Sequence, residues 1–315
     1  MTAAPSRVPA AVAAEPSPAR GRRNGPGRVG YGYWWWCIPA VVLTGTTVYV
    51  TTVSGGFFAF TNWSGIGSFD FIGIDNFVRI FRTPELLGSL TNTLGLAIGY
   101  LVFSNVIGIL FALALNRTLK TRYLLRTLIF MPVVLSPVAV SFVWKFIFAF
   151  DGPLNQGLGA VGLKGLQQDW LASPTLALGC VLTVMVWQNI GFVMVTYLAG
   201  LATVPPELEE AAALDGAGTW RRFRSVTLPM IQPSIAIATT LSLIQGLRVF
   251  DQVAALTHGG PDNSTQTLAS EIYQQTFTYQ QFGFGAAMAL MLSVLILIFT
   301  IAQQRVTRDR TEIGA

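Results

Sequence analysis

A chain of 315 residues in which 52% of side chains are hydrophobic and 11% charged carries less than half the charge of a soluble domain, about 25%. That excludes an ordinary water-soluble fold. A net charge of +5 raises nucleic acid as a partner, but the positions of the cations follow membrane topology instead, and no nucleic-acid role is expected. Cys37 and Cys180 both fall in apolar runs, as small buried side chains rather than as a disulfide framework.

Residues 1–30 are rich in Ala, Pro, Gly and Arg and nearly lack large apolar side chains, so they bury too little surface to offset ordering. They are expected to form a disordered tail. The apolar run at 33–58 is longer than a signal-peptide core and has no convincing Ala-x-Ala site, so it is expected to remain as a first membrane helix. Trp34, Trp35 and Trp36 make an aromatic belt at its start. Further runs able to cross ~30 Å of hydrocarbon lie at about 87–115, 124–148, 171–200, 232–255 and 284–303. The expectation is an all-α membrane protein with six transmembrane helices, a membrane domain over 31–304 and a tail over 305–315.

Cations choose the orientation. Arg7, Arg20, Arg22, Arg23 and Arg28 precede the first run, and Arg117, Lys120, Arg122 and Arg126 follow the second. Arg221, Arg222 and Arg224 follow the fourth, and Arg305, Arg308 and Arg310 the last, so all four sets share one face. By the positive-inside rule that face is cytoplasmic, with both termini and the 203–230 loop on it. On the other side, Phe71 through Phe81 suits either a brief interfacial helix or a packed loop, and Asp151-Gly152-Pro153-Leu154-Asn155 is a turn signal.

Polar residues within the spans are few. Trp187, Gln188 and Asn189 cluster in the fourth, with Tyr197 further along, and Ser242 and Gln245 share a face of the fifth. Amides offer donors and acceptors to a hydroxylated solute, and an indole offers a flat apolar face; the same residues also serve as hydrogen-bonding glue between helices. Arg248 and Asp251, three apart, suit a structural ion pair. Lys145 lies near enough to a span end to snorkel, and Pro132 and Pro137 should bend the third span. Gly285, Ala286, Ala287, Ala289 and Ser293 give the sixth span a small-residue face for a sister subunit.

The long polar interruption is 203–230. Pro205 and Pro206 open a helix whose first turn holds Glu207 and Glu209, with Glu210 next, where the helix dipole favours negative charge. Gly216 ends it, and a second amphipathic piece with Trp220, Phe223 and Val226 runs until Pro229 stops it. Within this knob Glu210-Ala211-Ala212, Asp215-Gly216-Ala217, Phe223 and Leu228-Pro229 resemble the EAA motif of permease subunits from binding-protein-dependent ABC importers. The resemblance implies a type I ABC importer permease fold in which this loop is the coupling helix and those residues seat on a cytoplasmic ATPase. It also implies a prokaryotic plasma (inner) membrane, a second permease subunit, two ATPase subunits and an extracytoplasmic solute-binding protein.

Two further stretches carry the likeness. Asn76-Phe77 to Asn92-Thr93-Leu94, and Arg248 through Thr265 to Tyr273 and Phe282-Gly283, resemble carbohydrate permeases of the maltose, lactose and glycerol-phosphate group. This implies a sugar substrate, an oligosaccharide or relative. His258 stands where that group more usually has glycine. Unlike the larger maltose-type subunits, the chain has no long outer insertion, so a binding protein would be a separate chain.

Enzyme chemistry finds no support. The sequence has no Gly-x-x-x-x-Gly-Lys-Ser/Thr phosphate loop, no Gly-x-Ser-x-Gly elbow and a single histidine, His258, so ATP is expected on partner subunits and no cofactor or metal on this one. The alternative from another class is a gradient-driven secondary transporter or channel, which would want ionisable groups at mid-bilayer; a non-transporting scaffold is a third.

Overall fold

The computed structural model describes the backbone of residues 34–117 and 119–312 and the side chains of 35–117 and 119–305. The expected disordered tail at 1–30, with its arginines, lies outside the described residues, as do the side chains of Trp34, Arg308 and Arg310.

The unit ending at Val50 opens with a 3-10 turn, Trp34–Cys37, then α1 (Ile38–Thr44) and a π-helical turn, Gly45–Val50. Trp36, Val41, Leu43 and Tyr49 are all exposed, and a helix apolar on every side suits hydrocarbon around it. Cys37 shares that surface and is not buried, whereas Cys180 is.

The second unit begins with α2 (Thr51–Phe58). In the loop beyond it a single antiparallel bridge joins Thr61 to Phe71, and the buried Asn76 amide donates to the Ala59 and Thr61 carbonyls, both at 2.9 Å. Asn76 belongs to α3 (Asp75–Arg82), which resolves the 71–81 segment as a helix. Its acid lies in the first turn and its arginines in the last, as the helix dipole favours. α4 (Pro84–Leu115) has 32 residues and rises about 48 Å, more than a bilayer core needs.

The expected single span at 124–148 is broken. α5 (Arg122–Phe130) passes into a 3-10 turn, Met131–Val134, and α6 (Pro137–Phe148) starts afresh. A residue before proline is driven out of the helical region, and Ser136 is extended at ψ 131°, as is Leu135 before it at ψ 146°. The break frees the Leu135 carbonyl, which accepts from Gln188 Nε2 at 3.0 Å. After α7 (Pro153–Ala160) the chain turns through 161–176, held by the buried Asn155, which donates to the Phe150 and Gln168 carbonyls and accepts from Trp170 Nε1 at 2.9 Å. α8 (Ala177–Leu201) therefore starts later than the expected 171.

The knob comprises α9 (Pro206–Leu214), α10 (Thr219–Arg222), a π-helical turn, Phe223–Thr227, and α11 (Leu228–Met230). Pro229 does not end its second piece. The missing proline N–H falls just after the π turn, where the i→i−4 ladder is already interrupted, so the helix runs on to Met230. α12 (Gln232–Leu247) follows at a bend of 74° and stops short of the expected 255. Arg248 and Phe250 leave helical geometry, and the Val249 carbonyl between them accepts from Thr267 Oγ1 at 3.0 Å. α13 (Asp251–Leu256), α14 (Leu268–Tyr273), capped reciprocally by Thr267 and Ser270, and α15 (Phe282–Glu312) complete the chain.

Among the described residues, five stretches are long and apolar enough to cross a membrane: Trp35–Phe58, Pro84–Leu115, Pro137–Ala160, Ala177–Leu201 and Phe282–Arg305. The bent pair ending in α12 makes a sixth if it counts as one span. Within the second unit α8 is the most enclosed, and α4 packs against both α8 and α12 at distances that only glycine allows. A Cβ on Gly246 would lie 2.7 Å from Ala97 Cα, and one on Gly108 2.6 Å from Val193 Cγ1. The small residues that open α15 are used inside the chain: Gly285 faces Thr276 and Ala287 is buried, so the face expected to meet a sister subunit shrinks to its far end near the exposed Ser293.

Candidate functional site

In the heart of the bundle, polar side chains of α4, α8 and α12 find one another. Tyr197 Oη donates to Asn105 Oδ1 at 2.7 Å, Asn105 Nδ2 donates to Ser242 Oγ at 3.2 Å, and Ser104 Oγ lies 3.4 Å from the same oxygen. One turn along, Tyr100 Oη donates to Gln245 Oε1 at 2.8 Å. Hydroxyls and amides in hydrocarbon cost several kcal/mol when unpaired, so pairing across helices is what holds these residues there. Beyond Gln245 the network opens into a cavity of about 290 Å³, bordered by Tyr100, Asn189, Gln245, Arg248, Asp251 and Gln252, with Met185 and Phe250 as its apolar walls.

The expected pathway residues divide. Asn189 and Gln245 reach the cavity, whereas Ser242 is buried in the network behind it. Consecutive helical residues point about 100° apart, so Trp187, Gln188 and Asn189 cannot share a face. Gln188 is buried between the Leu135 carbonyl and Gln252 Nε2, 3.2 Å away, and Trp187 turns outward to meet Trp144 edge-on at 5.4 Å. Arg248 and Asp251 do not form the expected pair along one helix, because α12 ends before the first and α13 begins at the second; both border the cavity. Sequence reasoning missed Tyr100, Ser104 and Asn105, and their signal was present: three polar residues within six positions of an otherwise apolar run.

The knob has a defined architecture of its own. α9 ends in paired reverse bonds, Ala217 N to Ala212 O and Gly216 N to Ala213 O, both 3.0 Å, with Gly216 at φ +77°. That is a Schellman closure, which needs a left-handed residue at the position Gly216 occupies. Glu210, Ala211, Asp215 and Pro229 are exposed, Ala212, Ala217, Phe223 and Leu228 are half-buried, and Leu214 is 90% exposed. Glu209 Oε1 accepts from Thr227 Oγ1 at 2.9 Å and so ties α9 to the returning helix, where Trp220 and Phe223 lie ring against ring at 5.7 Å.

At the opposite end, the 257–267 turn is braced by Thr257 Oγ1 against Thr265 Oγ1 at 2.7 Å and by Asn92 Nδ2 on the Gln266 carbonyl at 3.0 Å. His258 sits at φ +54°, in the left-handed region that glycine adopts without strain. His258→Gly is expected to raise stability by up to about 1 kcal/mol, the relief of left-handed strain less the added entropy of the unfolded chain, as read by thermal unfolding in detergent.

Glu271, in α14 and outside the candidate spans, is buried. Burial pushes its carboxyl above the ordinary carboxylate range, the charge of Glu85 adds to the shift, and a long 3.5 Å hydrogen bond from Gln275 opposes it. A raised value in the folded state favours the neutral form. Its contribution to stability is therefore complete below the ordinary pKa of about 4.3 and is lost as pH rises through the folded value. Glu271→Gln should match the wild type in unfolding temperature at low pH and exceed it at neutral pH.

A family of transport proteins matches this architecture. Residues 104–312 match the model of the binding-protein-dependent transport system inner membrane component, and the chain belongs to that family of ABC importer permeases. Among its relatives, the multiple sugar-binding transport system permease protein MsmF of Streptococcus mutans is 36% identical over 279 residues, 88% of this chain and 96% of that protein. The probable starch degradation products transport system permease protein AmyD of Thermoanaerobacterium thermosulfurigenes is 31% identical over 89% of this chain and 95% of its own. A solved chain from a bacterial ABC transporter involved in the import of the acidic polysaccharide alginate superposes with a TM-score of 0.76 at 24% identity, covering 87% of this chain and 94% of its own. The fold is therefore that of an ABC importer permease, a multi-pass membrane component of a transport system and not an enzyme.

Proposed function

We propose that this permease passes a sugar, delivered by an extracytoplasmic binding protein, across a prokaryotic inner membrane at the expense of ATP hydrolysed on separate subunits. The observation that carries the substrate class is the cavity at Asn189 and Gln245, where amides and the Tyr100 hydroxyl stand beside apolar and aromatic walls. Such a lining suits the hydroxyls and the C–H faces of a pyranose. MsmF and AmyD, named for sugar transport and starch-product transport, support the same class. At about 290 Å³ the cavity is at the small end for a ligand site and holds about one ring. A second, similar permease would supply the facing half for an oligosaccharide.

The knob faces the cytoplasm in this reading, because Arg117, Lys120, Arg122, Arg126, Arg221, Arg222 and Arg224 all lie at its end of the bundle. Both termini follow onto that side. Glu210, Ala211, Ala212, Asp215, Gly216 and Ala217 form the surface offered to an ATPase, with Phe223, Leu228 and Pro229 carrying the return. Closure of the ATPases around ATP moves α9, and the Glu209–Thr227 bond passes that motion through α11 into α12, which bears Ser242 and Gln245. The cavity then exchanges access between the two sides.

Uptake of labelled maltooligosaccharide or another oligosaccharide in cells carrying the whole transport system tests this. Uptake lost on ATP depletion and retained with an ionophore is expected. Uptake lost with the ionophore and indifferent to ATP would overturn it in favour of a gradient-driven carrier.

A further inference from the structure

At the knob end of the bundle a cleft of about 760 Å³ opens between α4 and the returning helix. One wall is the outward face of α4, where Val106 and Leu110 stand half exposed and Leu113 completes the stripe. The mouth carries Arg117 and Arg222, with Trp220, 71% exposed, beside them. Arg222 Nε is buried and has no hydrogen-bond partner, and the acid in the lining, Glu209, accepts from Thr227 through Oε1. The cleft thus joins an apolar wall to a cationic mouth with an unsatisfied donor, at the cation-rich end of the bundle.

We propose that this cleft binds one anionic glycerophospholipid of the cytoplasmic leaflet. Arg117 and Arg222 hold its phosphate, for which a guanidinium fork is suited, and an acyl chain lies along the Val106–Leu113 face. A free phosphate would make no use of the apolar wall, and an uncharged chain would leave the Arg222 donor unpaired. Trp220 takes the headgroup level, where indoles concentrate. Because the lipid touches both α4 and the helix that returns from the knob, its presence braces the very element through which the ATPases would act. The inference rests on the cytoplasmic placement of the knob argued above.

The test is native mass spectrometry of the complex purified on the tagged chain, offered phosphatidylglycerol and phosphatidylcholine in competition, with inorganic phosphate as a further competitor. The wild type is expected to retain one phosphatidylglycerol that phosphate does not displace. Arg117→Gln and Arg222→Gln should each weaken that preference about fivefold, and the double variant multiplicatively. Leu110→Trp, which fills the apolar wall and leaves both arginines in place, should lower occupancy for either lipid. Equal retention of the two lipids by the wild type, an unchanged preference in the double variant, or displacement by phosphate would overturn the proposal. So would a photo-crosslinker at Leu110 that captures the sister permease instead of lipid. Lipid preference is read on whatever complex is recovered, so its absence from a wild-type complex with an ATPase still bound refutes the lipid site alone and leaves the transport reading standing.

Discussion

Gly216→Val is expected to leave the chain inserted and assembled in the membrane while reducing sugar uptake to near background, with ATP hydrolysis no longer tied to transport. Nothing lies within 4 Å of a Cβ built at Gly216, so the effect is not a clash. It comes from φ +77°, where an L-residue costs roughly 1–2 kcal/mol and a β-branched one more. The Schellman closure then opens, Ala217 and Asp215 lose their places, and α9 no longer holds its angle to the returning helix. A graded series separates backbone geometry from surface chemistry. Gly216→Asn should stay close to wild type, since asparagine tolerates the left-handed region; Gly216→Ala should be intermediate and Gly216→Val the worst. Transport and solute-stimulated ATPase activity measured on the series give the order, and an asparagine variant as defective as valine would point to lost contact rather than lost geometry.

The second large effect belongs to the cavity. Asn189→Leu should lower uptake at limiting substrate about tenfold or more with little change in unfolding temperature. Its amide donates only along its own helix, to Met185 O at 3.2 Å, so the protein needs it less than a solute would. Gln245→Leu should lower both, because the Tyr100 hydroxyl loses its 2.8 Å acceptor inside the bundle. Ser242→Ala should act mainly on stability, as a member of the buried network around Asn105. Trp187→Phe should be close to silent, since that ring points away from the cavity toward Trp144. Concentration dependence of uptake, set beside thermal unfolding of each variant, distinguishes the cavity residues from the glue.

Much of this was legible in the sequence because the signals were local and redundant. Low charge, long apolar runs and clustered arginines required a membrane bundle, and the Pro205-Pro206 opening with Gly216 at the close required a short capped helix between two spans. Glycine at 216 was readable for the same reason: one residue type serves one backbone geometry. What was not legible depends on phase and on breaks. Pro132 and Pro137 announced a bend, but that the third span would divide, and that Gln188 would be consumed in satisfying the freed Leu135 carbonyl, needed the neighbouring helix in place. The stop of α12 at Leu247 has no proline to announce it; it is stabilised from a distance by Thr267 on the Val249 carbonyl, 18 positions later. Tyr100 and Asn105 became part of the site only once α4 was seen packed on α12, since a lone polar residue in an apolar helix does not show which neighbour it faces.

The central claim, that the knob is the docking element for a separate ATPase, is tested most directly by a photo-crosslinker placed at Leu214, the most exposed apolar side chain of α9, in cells carrying the native transport system. A single adduct with a nucleotide-binding ATPase subunit is the result expected, weakened when Gly216→Val is introduced beside it. An adduct with an extracytoplasmic protein, or none with an ATPase in an intact and transporting complex, would contradict both the orientation and the role given to the knob.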